Sequence, residues 1–253
     1  QLGMEKARQA GTATIFMRNC NHVGRLGSYT QQAAYQKFAA MMLVNGPASG
    51  GVAPYGAMEG RMGTNPITIA APWGDDAMVL DMTSSATAEG KVRVAFQKGV
   101  PVPEGQLIDA DGQPTTDPST YYADPGGAIL PLGGNLGFKG YGLSVMIDVF
   151  GGMLSGFGIC RSDLPPGTNG VWMYLVDVSA FTELEAYQAL VSQYVAHIKS
   201  AKKLPGVDEI LMPGEIELRR QNQRSADGVD VPEETWRQIS ELAERLSVSL
   251  DNL

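Results

Sequence analysis

GGNLGFKGYGLSVMIDVFGGML, residues 133–154, is the stretch on which the reading of the chain turns. Glycines at 133, 134, 137, 140 and 142 lead into an apolar run, so the segment reads as a turn opening a helix that extends to about Leu154. Free backbone N–H groups and the helix dipole favour an anion at such a start, with Lys139 as a point charge. The glycines follow neither the GxGxxG nor the Walker A spacing. The stretch is therefore an anion-binding turn, or else a flexible turn carrying a surface lysine, and it does not argue for a standard Rossmann domain.

The flanking sequence alternates helices and strands. Residues 2–10 read as a helix closed by Gly11, and Thr12–Met17 as a strand. Arg18–Gly27 is rich in turn residues, and Ser28 is placed to cap a helix reaching about Ala40. Met41–Val44 is a short apolar strand, followed by a Gly/Pro loop over 45–65 that holds GTNP at 63–66. Strands are expected at Pro66–Ala71 and Met78–Met82, and a helix capped by Ser84 or Ser85 through about Lys98. Residues 99–130 are polar and loop-rich, with DADG and PTTDP as turn signals. Val171–Val178 is a strand, Thr182–Lys202 a helix, Ile210–Met212 a short apolar piece, and Glu215–Arg224 and Pro232–Leu246 are helices, with Asp230 as a cap for the last. There is no internal repeat and no clear linker, so residues 1–253 are expected to form a single region of α/β or α+β class.

Composition narrows the function. The chain has 253 residues, 43% hydrophobic and 18% charged, enough for a sizeable core and too apolar for disorder. Its 31 glycines exceed the usual share, which suits tight turns and close backbone approach to a ligand. A net charge of −8 gives no footprint for a phosphate backbone, so nucleic acid is not an expected partner. The longest strongly apolar run, Phe38–Val44, is far short of a membrane span, and no signal peptide is recognised. The two cysteines, Cys20 and Cys160, make no disulfide framework and suit a reducing cytoplasm. With two histidines and no CxxC, no zinc site is expected, and no GxSxG supports a nucleophilic triad.

Few residues are left to carry chemistry. His197, on a helix, reads as a solvated surface residue. His22 lies in NHVGRLGS between a strand and a helix, where imidazole serves as a neutral-pH proton donor or acceptor, although a loop histidine is more often structural. Arg25, three residues on, has the fork geometry to hold a carboxylate. Asp81 ends an apolar strand, where it either binds a ribose hydroxyl or caps the following helix, the cap being the commoner use. Pro213-Gly214-Glu215 opens a helix in the ordinary way, with Glu215 favourably placed on the dipole.

Five segments, in order and spanning nearly the whole chain, carry a resemblance. They are NCNHVGRLGSY (19–29), VAPYGAMEGRMGTNPITIAAP (52–72), VLDMTSSATAEGKVRVAFQKGVPVPEGQLIDADGQPTTDP (79–118), GFKGYGLSVMIDVFGGMLSG (137–156) and LMPGEIELRR (211–220). Together they resemble the malate/L-lactate dehydrogenase-like family of NAD(P)-dependent oxidoreductases, and GKVRVAFQKGVPVPEG with PGEIELRRQNQR look most like its hydroxycarboxylate dehydrogenase branch. The resemblance implies a mixed-sheet, non-Rossmann α/β fold that binds NAD or NADP, a homodimer, and hydride transfer to a small 2-oxo acid or from a 2-hydroxy acid. By position, it implies that His22 is the acid–base or substrate-binding histidine, with Arg25, Asn45 and Gly46 on the substrate. Asp81, Met82, Thr83, Lys139, Gly140, Gly214, Glu215 and Ile216 fall on cofactor segments. Two departures stand out. Relatives carry an upstream Ser-His-Gly motif and an arginine at the substrate site that this sequence does not contain, so an N-terminal part is expected to be missing. The alternative is a truncated, non-catalytic dimer that binds a nucleotide. In addition, Asn135-Leu136-Gly137 lengthens the turn ahead of Lys139.

Overall fold

The computed structural model describes residues 1–46, 50–160, 168–231 and 233–250, which fall into two units, residues 1–214 and residues from 215 onward. The first unit opens with α1 (Leu2–Ala10) and β1 (Thr12–Cys20), joined at Gly11, whose φ of 79° is in the left-handed region. There follow α2 (Gly27–Tyr35), β2 (Phe38–Asn45), β3 (Pro66–Trp73), β4 (Asp76–Thr83) and α3 (Glu89–Lys98). Three two-residue strands, β5 (Leu107–Ile108), β6 (Pro114–Thr115) and β7 (Ala128–Ile129), organise the long loop region. Next come α4 (Gly137–Ile147), continued by a π-helical turn over Asp148–Met153, then β8 (Asn169–Asp177) and α5 (Leu184–Lys199). The second unit holds α6 (Glu215–Asp227) and α7 (Glu233–Leu246). Pro232, expected early in that last helix, lies outside the described residues.

The main sheet has the order β1-β8-β2-β3-β4, with every neighbour antiparallel; a small sheet has the order β6-β5-β7. A parallel bridge between Val52 and Ile129 ties the 45–65 loop to the small sheet. This is the expected α/β, non-Rossmann architecture: among the described residues there are no parallel strand–helix–strand repeats to make a doubly wound sheet. Strand alternation sends Ala13, Leu175, Phe38 and Ala40 to one face, where Met4 and Ala7 of α1 and Ala33 of α2 cover them. On the same face Ala34 of α2 packs with Ala70, Ala77 and Val79. On the opposite face Leu43, Ile67, Met82 and Trp172 meet Leu143, Ile147 and Phe150 of α4 and its π turn.

Several boundaries differ from the sequence reading. β1 runs three residues past Met17, through a register shift and the left-handed Asn19, because Cys20 still pairs with Asn169. α2 stops at Tyr35 rather than Ala40: Lys37 turns left-handed, and sheet pairing claims Phe38 to Asn45. Ser28 does not cap α2. Leu26 occupies that position without a side-chain bond, and the free Gly27 N–H donates to Asp81 Oδ2 at 2.8 Å. Nor do Ser84 and Ser85 cap α3, which begins at Glu89 after Ala88. Both serines are buried: the Ser84 hydroxyl donates to the Thr64 carbonyl and the Ser85 hydroxyl to the Thr87 carbonyl. At the start of α2 and at Ser84, local capping propensity loses to tertiary bonds that become available only in the fold, whereas Ser85 bonds locally to Thr87.

Candidate active site

Strand register gathers most of the sequence-predicted residues at one end of the main sheet. Cys20 faces Asn169, Asn45 faces Gly170, Leu43 faces Ile67 and Pro66 faces Thr83, so β1, β2 and β4 finish where β8 and β3 begin. The His22–Arg25 loop, Asn45–Gly46 and Asp81–Thr83 therefore leave the sheet at the same end, although they are far apart in sequence.

His22 is exposed in the loop after β1. That loop is fastened on both sides. The Asn169 side-chain amide donates to the Asn21 carbonyl at 3.0 Å, and Tyr29 Oη donates to the Val23 carbonyl at 3.0 Å. Arg25 is half-exposed; its Nε lies 3.8 Å from Asp81 Oδ2 and its Nη1 donates to Gln31 Oε1 at 3.1 Å. Asp81 thus does cap a helix, but the one before it in sequence: its carboxylate closes the N-terminus of α2, where negative charge is favoured. Met82 packs into the core under α4, and Thr83 Oγ1 donates to the Ser85 carbonyl at 3.1 Å. Replacing Asp81 with Ala is expected to cost roughly 1–2 kcal/mol, the worth of a helix N-cap, read as a lower urea midpoint with unchanged slope; an unchanged midpoint overturns the capping role.

The Gly-rich turn joins this end of the sheet through backbone bonds. Leu132 N–H donates to the Ser84 carbonyl at 3.0 Å, and Ser85 forms a bridge with Pro131. Gly133 and Gly134 are left-handed, with φ of 121° and 55°, and one 3₁₀ turn leads into α4. No side chain caps α4; the Gly137 N–H donates to the Gly134 carbonyl of the turn before it, and Lys139 in the first turn is exposed. Gly140 lies against the backbone of Leu132. Beside the turn is a cleft of about 450 Å³ with Tyr55, Met58, Ile108, Leu130 and Pro131 among its walls. At the outer strand, Val79 N–H donates to the Pro213 carbonyl at 3.0 Å, which places the left-handed Gly214 (φ 92°) against β4. Glu215 and Ile216 open α6 of the second unit, with Ile216 exposed.

Behind the surface lies a polar group of which sequence reading singled out only Asn45, as a substrate residue, whereas its side chain is turned inward. Asn45 is fully buried; its Nδ2 donates to the Gly158 carbonyl at 3.2 Å, and its Oδ1 accepts from Gly170 N–H at 2.9 Å. Asn65, also fully buried and left-handed at φ 37°, accepts the Gly46 N–H at 3.1 Å and donates to the backbone and hydroxyl oxygens of Ser144. Asp148, at the start of the π turn, is buried, and among the described residues its Oδ1 has no hydrogen-bond partner. Burial pushes its carboxyl above the usual carboxylate range, against the pull of the Asn65 and Asn45 amides. The signals that could have exposed this group were the asparagine in GTNP and a lone acid inside an apolar helix.

Residues 1–240 match the family described as malate/L-lactate dehydrogenase. The chain is 36% identical over 259 residues to the L-lactate dehydrogenase of Cupriavidus necator, covering 99% of this chain and 72% of that protein. It is 33% identical over 256 residues to hydroxycarboxylate dehydrogenase B of Escherichia coli, covering 100% and 70%. Its structure is similar to that of malate dehydrogenase from Pyrococcus horikoshii, with a TM-score of 0.85, 30% identity, and coverage of 98% of this chain and 69% of that one.

Proposed function

The chain belongs to the malate/L-lactate dehydrogenase family, and from that premise we propose that it transfers a hydride between NAD or NADP and a small 2-oxo or 2-hydroxy acid. The observation that carries this reading is the convergence at one end of the sheet. The His22 loop, Gly46 and the Asp81–Thr83 strand end meet there, and the Leu132–Ser84 bond attaches the Gly-rich turn to them.

The residues fit a dinucleotide. The uncapped start of α4 and Lys139 suit its phosphates, and the apolar cleft by Tyr55 falls within the volume range of ligand pockets, with room for a planar ring. Gly140, by letting α4 approach Leu132, keeps that turn tight, and Gly214 does the same beside Val79. Met82 and Thr83 complete the cofactor residues proposed on the first unit; for Glu215 and Ile216, which open α6 of the second unit, a cofactor role is proposed separately. When bound, the nicotinamide supplies or accepts the hydride. His22 holds the proton that passes to or from the oxygen at the substrate's second carbon, and Arg25, with N–H groups beyond those turned to Gln31 and Asp81, holds the carboxylate. The backbone at Asn45–Gly46 borders the substrate. The proposed setting is a cytoplasmic homodimer, in keeping with free Cys20 and Cys160.

Calorimetric titration with NADH and NADPH, followed by a panel of oxo acids, tests the reading. We expect binding of one cofactor in the micromolar range, about −8 kcal/mol, and turnover with at least one acid. Binding without turnover favours a non-catalytic nucleotide-binding relative. A folded chain that binds neither cofactor overturns the proposal.

A further inference from the structure

Asn65 spends its whole side chain on joining two elements that are far apart in sequence. It is fully buried, and Ser144 of α4 is buried beside it. Its Oδ1 accepts the Gly46 N–H, just past β2, at 3.1 Å. Its Nδ2 donates to the Ser144 hydroxyl at 3.0 Å and to the Ser144 backbone carbonyl at 3.2 Å. An amide has one accepting end and one donating end, and here both are engaged. Turned over, it would set donor against donor at Gly46 and oxygen against oxygen at the Ser144 carbonyl, so neither contact survives alone. The Asn65 backbone adds a third link. Its carbonyl accepts the Ser84 N–H at 3.3 Å, and the Ser84 carbonyl accepts the Leu132 N–H of the Gly-rich turn at 3.0 Å.

Two features keep this side chain in place. Asn65 lies at φ 37°, a conformation that residues with a Cβ seldom adopt and asparagine tolerates best, and that persists where the surroundings fix it. Gly63 closes the space beside it: a Cβ there would lie 2.3 Å from the Gly46 carbonyl oxygen and 2.8 Å from Asn65 Oδ1. Ser144 stands one turn beyond Gly140, and both are buried residues of α4. A displacement of α4 therefore reaches Gly46 through one fixed amide, with no flexible side chain between.

We propose that Asn65 is a positioning residue that couples α4 to the end of β2, so that filling the proposed cofactor turn at the start of α4 steadies the backbone at Gly46 beside the proposed substrate position. The assignment of cofactor and substrate to the two ends rests on the dehydrogenase reading; the link between α4 and Gly46 does not.

Asn65→Gly removes the side chain and leaves the left-handed backbone unstrained. Ser144→Ala acts from the other end, deleting the hydroxyl contact on α4 alone. Peptide-level hydrogen exchange compares both variants with the parent chain, first without ligand and then with saturating NADH or NADPH, whichever binds. Without ligand, exchange in the peptide containing Gly46 is expected to rise about 10-fold in N65G and about 3-fold in S144A, with α1 and β1 unchanged. With cofactor, that peptide is expected to slow about 5-fold in the parent and less than about 2-fold in N65G, although N65G binds the cofactor with a Kd within about 3-fold of the parent's. If N65G does not fold, S144A carries both comparisons, its response to cofactor falling below the parent's. Unchanged Gly46 exchange in S144A overturns the proposal. So does a parent whose Gly46 peptide ignores bound cofactor, and so does an N65G chain that responds to cofactor as the parent does, since an amide that only supports the loop would give that result. If the parent binds neither cofactor, the dehydrogenase reading fails by itself, and the ligand-free S144A comparison still decides whether α4 and Gly46 are coupled.

Discussion

Replacing His22 with Gln is expected to lower kcat for oxo-acid reduction by about 10²–10⁴-fold, the usual loss when a positioned acid–base group is removed. The structure makes this a clean experiment. His22 is exposed, and its loop is held by other groups: the Asn169 amide on the Asn21 carbonyl, Tyr29 on the Val23 carbonyl, and Arg25 near Asp81. Among the described residues the substitution removes no hydrogen bond that supports the fold, so stability should move by no more than about 0.5 kcal/mol. Cofactor affinity should be unchanged, because the Gly-rich turn is anchored through Ser84 and not through this loop. The other histidine, His197, lies on α5, and His197→Gln serves as the control with parent-like turnover. Turnover retained in the His22 variant would remove this side chain from the proposed proton path.

The second large effect is steric. A Cβ at Gly140 would sit 2.2 Å from the Leu132 carbonyl oxygen and 2.7 Å from its nitrogen. Both are backbone atoms, and that nitrogen is already committed to the Ser84 carbonyl. Gly140→Ala must therefore push α4 away from the turn, at about 1–3 kcal/mol for overpacking. That shift moves the N–H groups proposed to hold the cofactor phosphates, so we expect cofactor affinity to fall about 10-fold or more. Gly142, two residues on, provides the contrast. A Cβ there meets nothing within 4 Å, and a helix-interior glycine changed to alanine should gain roughly 0.5–1 kcal/mol. Thermal unfolding and cofactor titration of the two variants should move apart. Equal shifts in both would show that the close contact with Leu132 is not what matters.

These positions also show how far sequence alone reaches. The Gly-rich start of α4 was legible because turn glycines and an apolar helix are local signals. β4 and β8 were legible for the same reason: their apolar runs are short and well bounded. Caps were read wrongly wherever the partner came from elsewhere. Asp81 closes α2, which lies 54 residues earlier in the chain, and Ser84 donates back to Thr64, so no window around either residue contains its partner. The end of α2 was misplaced because Phe38 to Ala40 suit a helix locally but are needed by the sheet. In the buried set around Asn45, the residues Asn65, Ser144 and Asp148 stayed hidden for the same reason. Each looks like an ordinary loop or helix residue until β2, the loop before β3 and α4 are brought together.

The strand order has a consequence for the birth of the protein. β8 lies between β1 and β2, pairing Thr12 with Val176 on one side and Phe38 with Asp177 on the other. On a ribosome, β2, β3 and β4 can assemble as a meander as soon as they emerge. The inner edges of β1 and β2 then wait for more than half the remaining chain before the strand that joins them exists. Unpaired apolar strand edges are templates for wrong partners, and closing so long a loop is slow. The nascent chain therefore passes through a stage in which its central sheet lacks its middle strand, a stage at which a holding chaperone has two open edges to protect.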